Sequence, residues 1–275
     1  MNEYIIKTIL SFGAGVVATS IGGVQAFVFC GIVGLIAGIS NNTIVLNNGA
    51  FGALFSPNVG FAAACAATAF AASKKMKLLS SGTSIITELG KYKNPWVLIL
   101  GGVFGSLGYI INLEFQSFNV KCDTVALTVF VLGVITRLVF GETGLFGKKQ
   151  GQDKRKYFMN MKTFIFYLIL NAGISMIVGY IVMLTNDVTF GFCISAITLL
   201  FCIFGHEIPV THHVTMVAGY AAIASHSILI VAIFGILAGV VHELLEKVFN
   251  SYNDTHIDPP AGAIACCSAL IFMIY

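Results

Sequence analysis

The chain has 275 residues, 57% of them hydrophobic and 10% charged, with a mean hydropathy of +0.91. A soluble domain carries about a quarter charged residues, so this composition excludes one and reads as a polytopic membrane protein. Lys and Arg number 15 against 12 Asp and Glu, which leaves no basic excess to mark a nucleic-acid binder.

Apolar segments predict helices over about 4–21, 23–46, 57–73, 95–113, 123–141, 162–184, 188–205, 225–245 and 259–274. The first has neither a basic n-region nor a cleavage site, so it reads as a retained helix. After the second, Ser40-Asn41-Asn42-Thr43 through Asn47-Asn48-Gly49 predicts a broken helix or a polar loop. Ser56-Pro57 and Asp258-Pro259 place a capping side chain before a proline at the first helical position. Cys122-Asp123-Thr124 and Asn186-Asp187-Val188-Thr189 are the same device without proline. The seven cysteines form no C-x-x-C pair and read as small packing residues.

One strongly polar stretch, 147–162, divides the chain near its middle, and matching features recur on either side of it. Ala37-Gly38-Ile39-Ser40 returns as Ala172-Gly173-Ile174-Ser175, and Gly60-Phe61 with Phe70 returns 131 positions later as Gly191-Phe192 with Phe201. Thr83-x-x-x-Thr87 returns as Thr211-x-x-x-Thr215, Phe104-Gly105 as Phe234-Gly235, and Asp123-Thr124 as Asp254-Thr255.

The expected fold is therefore an all-α polytopic membrane protein of two homologous halves. Each half has about four spanning helices plus one polar re-entrant segment, Leu79–Gly90 or Glu207–Gly219, and an extra helix precedes the first. The corresponding units are an N-terminal helix (1–22), a first membrane repeat (23–146), a basic cytoplasmic linker (147–161) and a second membrane repeat (162–275). Re-entry places 12 Lys and Arg on the linker side, with Lys121 and Lys247 opposite, in keeping with the positive-inside bias. Crossing segments would instead give five spans per half and inverted copies, and that alternative stays open.

The polar segments are the natural place for a transport pathway. Thr83 and Thr87 stand one helical turn apart, as do Thr211 and Thr215, so each pair offers a hydroxyl face. Glu88 is an intramembrane charge that demands a partner or water. His212 and His213 bring imidazole to the second segment alone, since Ser84 and Ile85 stand at the matching positions. Asp123, Asp187, Asp254 and Asp258 are expected together in an outer vestibule, where acidity favours approaching cations.

These features point to a transporter or channel that passes a small polar solute or ion between two pseudo-symmetric halves of a plasma-membrane protein. The expected partners are the lipid bilayer, the solute and a possible second copy of the chain, with no cofactor, no bound metal and no nucleic acid. Two alternatives are a membrane enzyme using a metal at His206, Glu207, His212 and His213, and a scaffold without flux. The chain has no G-x-S-x-G, H-E-x-x-H or phosphate-loop motif to support catalysis.

The stretch His256-Ile257-Asp258-Pro259-Pro260-Ala261-Gly262-Ala263 resembles the signature of the HPP family of integral membrane proteins, with two residues between His and Pro-Pro. That resemblance implies a duplicated four-helix unit and inorganic anion transport, notably of nitrite. The stretch from Asn41 to Ala72, Asn-Asn followed by Ser-Pro and an Ala-rich helix, is similar to urea transporters. Those are duplicated channels of inverted topology.

Overall fold

Where five of the helices begin, a side chain satisfies one or two of their first free N–H groups. In the computed structural model, which describes residues 2–148 and 155–275, Asn2, Asn94, Asp123, Asn160 and Asp258 each accept from a backbone N–H in the first turn that follows. The helices are α1 (Glu3–Ile21), α2 (Gly23–Ile39), α3 (Gly60–Ala72), α4 (Pro95–Ser117) and α5 (Thr124–Phe140). They continue as α6 (Met161–Thr185), α7 (Phe190–Ile203), α8 (His212–Ser225), α9 (Ile228–Leu245) and α10 (Pro259–Ile274). No strand forms among the described residues, apart from a single bridge between Gly82 and Thr255.

Length divides the helices into two kinds. α1, α4, α6 and α9 with its π-helical extension to Asn250 are long and apolar enough to cross a membrane. The other six are shorter and apolar. The long helices pair, α1 on α4 and α6 on α9. Around them α3 packs on α1, α4 and α5, while α8 packs on α6, α9 and α10. α2 lies on α3 and α7 on α8; α5 touches α4 and α10 touches α9. The centre is closed by α2 against α7 and by α5 against α10.

Small residues make the long pairs possible. A Cβ on Gly105 would overlap the Ser11 carbonyl, and one on Gly101 would overlap the Thr19 hydroxyl. On the other pair, Gly235 and Gly239 leave room for the side chains of Ser175 and Asn171. Close backbone approach of this kind is how helices associate where no water is available to drive them together.

Connections alternate between two ends of the bundle. One end, the linker face, gathers the α1–α2 junction, residues 73–94, residues 141–148 and 155–160, and the stretch 246–258. Cross-links define it: Gly23 N–H donates to the Ile85 carbonyl (2.9 Å), Gly82 N–H to that of Asp254 (2.9 Å), and Lys148 N–H to that of Tyr252 (2.9 Å). Lys74 pairs with Glu142 there at 2.8 Å.

Four sequence expectations change. The predicted helix 23–46 ends at Ile39, because Asn41 takes a left-handed conformation (φ 51°) and a π-helical turn, Val45–Ala50, follows. The segment Glu207–Gly219 divides at Thr211: residues before it are irregular, and those after it enter the buried helix α8. The first helix is no appendage, since it packs on both α3 and α4. Lys247 lies on the linker face with most of the other cations, forming an ion pair with Glu243 at 3.5 Å. The linker expected at 147–161 lies partly outside the described residues.

Gly105→Val drives a branched side chain into the α1 backbone and is expected to cost about 1–3 kcal/mol. Gly13→Ala, where nothing lies within 4 Å, is expected to be silent. Thermal unfolding of the two variants in detergent compares them directly.

Candidate functional site

α5 and α10 run side by side in opposite directions, and both begin within the bundle. Asp123, the cap of α5, donates its N–H to Ser268 of α10 at 2.8 Å, while Gly133 of α5 lies against Ile257 and Asp258. Ten residues separate the two levels on each helix, about 15 Å of antiparallel overlap. The two capping carboxylates thus stand at opposite ends of one shared interface.

The chain leading to Asp258 is held by Arg137. This guanidinium is fully buried near the end of α5. Its Nε donates to Thr255 Oγ1 (3.0 Å), Nη1 to the carbonyls of Leu145 (2.9 Å) and Phe249, and Nη2 to Asn250 Oδ1 (3.0 Å) and the Thr255 carbonyl (2.6 Å). Asn250 extends the clamp by donating to the Ile257 carbonyl at 2.8 Å. The clamp fixes residues 249–257, and Asp258 follows with its oxygens on Ala261 N–H (2.9 Å) and His256 Nε2 (3.1 Å). Asp123 accepts instead from Ala126 N–H (2.9 Å) and the Tyr220 hydroxyl (2.8 Å).

Two cavities meet at this centre. A cavity of about 450 Å³ lies toward the linker face, walled by Val24, Ile85, Asn171, His213, His242, Glu243 and Pro209, among others. A second, of about 320 Å³, lies toward the opposite face, walled by Asn47, Asp123, Thr189, Phe192 and Tyr220. Phe27, His212 and Asp258 belong to both walls. Phe27 is the hub of this partition: its ring centroid lies 4.7 Å from His212, 5.4 Å from Phe192 and 5.5 Å from Phe61.

The histidines beside the partition are ordered by stacking. His213 lies face to face with His242 at 4.2 Å and 14°, and edge-on to His212 at 6.0 Å. Among the described residues, Nδ1 of His212 and Nδ1 of His213 are buried without a hydrogen-bond partner.

Of the residues singled out from sequence, His212, His213, Asp123 and Asp258 line these cavities. Asp187, which accepts from Thr189 N–H (2.9 Å) and Oγ1 (2.8 Å), neighbours the second. Thr83, Thr87, Thr211 and Thr215 lie outside both linings. Thr83 bonds Ser81 (2.7 Å), Thr211 bonds Ser195 (2.7 Å), and Thr215 donates to the His212 carbonyl (3.1 Å).

Glu88 is exposed on the linker face and paired with Lys91 at 3.0 Å, rather than buried in the bundle. Its own backbone N–H and then Lys91 hold its carboxyl below the ordinary range. The four aspartates do not share one vestibule. Asp254 accepts from Glu142 N–H (2.6 Å) and Thr143 Oγ1 (2.8 Å) beyond the C-terminal end of α5, whereas Asp123 caps its N-terminal end. His206 and Glu207 are exposed, apart from the buried His212 and His213. No group of three or more His, Cys, Asp or Glu among the described residues is arranged to hold a metal ion.

Phe27, Phe192, Tyr220, Asn171 and His242 are the lining residues that sequence reasoning missed. Only Phe192 carried a signal, as the repeat of Phe61. His242 stands 29 positions beyond His213 with no motif between them.

Among the described residues, fold and site together define an all-helical protein with four helices long and apolar enough to cross a membrane, built around two half-open cavities. A family of unknown function, DUF7973, matches residues 2–166 and 165–275, and the chain belongs to that family. No curated protein and no solved structure matches it.

Arg137→Met strips five donors from buried acceptors, each costing about 1–3 kcal/mol when left unpaired. Amide hydrogen exchange across 249–257 is expected to accelerate first, and Arg137→Lys is not expected to restore it, because an ammonium lacks the planar fork. Asp258→Ala is expected to lose about 1 kcal/mol with the cap, whereas Asp258→Asn keeps an acceptor there and most of the stability. Unfolding midpoints of the two Asp258 variants test that order.

Proposed function

We propose that the protein is a membrane transporter or channel for a small solute that passes between two inverted five-helix halves, α1–α5 and α6–α10. The observation that carries this reading is the pair of cavities, one toward each face, divided by the single partition of Phe27, His212 and Asp258. A path interrupted at one thin wall is what alternating or gated access requires.

The helix packing supports the two halves. Matching α1 with α6, α2 with α7 and so on to α5 with α10 maps every packing in one half onto a packing in the other. The central contacts, α2 on α7 and α5 on α10, map onto themselves, as contacts across a two-fold axis do. Membrane-length helices occupy matching places, α1 and α4 against α6 and α9. An odd number of helices per half makes each helix run opposite to its counterpart, so this reading adopts the inverted arrangement over parallel copies. The family match in two stretches that meet at residues 165–166 accords with it.

Sidedness follows from charge. Lys74, Lys75, Lys77, Lys91, Lys93, Lys148, Arg155, Lys156, Lys162 and Lys247 belong to segments at the linker face, while Lys7 and Lys121 do not. The positive-inside bias supports a cytoplasmic linker face.

Purified protein in liposomes, tested with urea, nitrite, formate, ammonium and divalent metal ions, is expected to give saturable uptake of at least one solute. Phe27→Trp, which thickens the partition, is expected to lower that uptake about tenfold, equivalent to about 1.4 kcal/mol of barrier. Well-folded protein with no uptake of any solute would overturn the reading.

A further inference from the structure

The linker-face cavity presents an unusual set of donors. His212 and His213 are 6% and 3% exposed, and the only sealed ring nitrogen in each is Nδ1, which has no partner. The other nitrogen, Nε2, is therefore the one that reaches the cavity. A neutral imidazole carries one N–H. Either tautomer leaves the sealed Nδ1 unpaired, and an orphan N–H is rarer in folded proteins than an under-satisfied acceptor, so the favoured tautomer turns Nε2–H inward. A second proton would create the same orphan, so both rings stay uncharged donors. The stack of His213 on His242 at 4.2 Å adds to this, because two charged rings that close would repel.

The remaining charges in the walls are already engaged. Asp258 is held by a helix N-terminus and His256, Glu246 by Asn250 at 2.9 Å, and Glu243 by an ion pair with Lys247 at 3.5 Å, although its Oε1 accepts no hydrogen bond. Among the described residues no Lys or Arg lines either cavity, so none of them compensates an entering anion. A cation would meet inward N–H groups and the phenyl rings of Phe27, Phe61 and Phe192, and the carboxylate at the partition, Asp258, already has both oxygens bonded. Removing an ion from water costs several kcal/mol. A neutral polar group costs roughly 1–3 kcal/mol by protein mutational data.

On the transport reading above, we infer that the path is built for a small uncharged molecule with a hydrogen-bond acceptor, bound by the inward Nε2–H groups of His212 and His213. Its substrate class is the neutral amide or polyol, and ions are excluded.

Two measurements on the full chain test this. Stopped-flow light scattering follows acetamide and glycerol entry into proteoliposomes against protein-free vesicles. Planar-bilayer current follows potassium and formate. The expected result is protein-dependent entry of a neutral solute with no sustained current. Current without neutral entry would overturn the substrate class and leave transport standing. Absence of both would overturn transport as well.

The binding assignment is tested by His213→Leu, expected to slow neutral entry about tenfold, and by His213→Gln, expected to restore most of it by keeping a donor. If His213→Leu unfolds the protein, the Gln variant still decides. Loss of entry in folded His213→Gln, or full entry in folded His213→Leu, would overturn the role of that nitrogen.

Discussion

A helix that starts inside an apolar bundle has to satisfy its first N–H groups without water. α5 and α10 both start this way, and much of the structure is organised by the solution. Asp123 and Asp258 supply the caps, and each carboxylate has a second partner, Tyr220 or His256. Asp258 reaches its place because Arg137 ties the preceding loop into the interior. A buried guanidinium is costly unless every donor is used, and here its five bonds end on the carbonyls of Leu145, Phe249 and Thr255, the Thr255 hydroxyl and Asn250 Oδ1. The cap and the clamp stabilise one another.

The same economy explains the division between long and short helices. α1, α4, α6 and α9 carry the apolar length, and glycines let each pair approach closely. The shorter helices can then begin and end at intermediate depth, which opens the space that becomes the two cavities. On the proposed reading the partition belongs to the short helices α2, α8 and α10, while the long helices α6 and α9 add Asn171, His242 and Glu243 to one wall.

Sequence revealed the helical class, the cap before Pro259 and the polar break after Ile39. Ser56 caps no helix: it bonds Asn58, and α3 starts only at Gly60. Sequence also singled out His212 and His213. It misread what encloses them. Phe27 looks like any apolar residue of α2, since its role depends on contacts with Phe61, Phe192 and His212 from three other helices. The threonine pairs recurred at helical spacing, yet Thr83 lies in an irregular segment where that spacing defines no common face. Arg137, read from its place near a helix end, invites a surface role. All of its partners but Leu145 lie more than a hundred residues away at Phe249–Thr255, and no local pattern announces them. The expected repeat begins at residue 23, and no local pattern announces that α1 packs on α3 and α4.

The histidines give the two cavities different chemical characters. His213, His242 and His256 wall only the linker-face cavity, His212 is shared, and the opposite cavity is walled instead by Asp123 and the Tyr220 phenol. Within the cavities, a reagent that attacks imidazole therefore has most of its targets in one mouth and a single target at the partition from the other, while the exposed His206 and His226 lie outside both linings. Once those two are replaced, the side from which such a reagent acts on a sealed vesicle reports which way the protein was inserted.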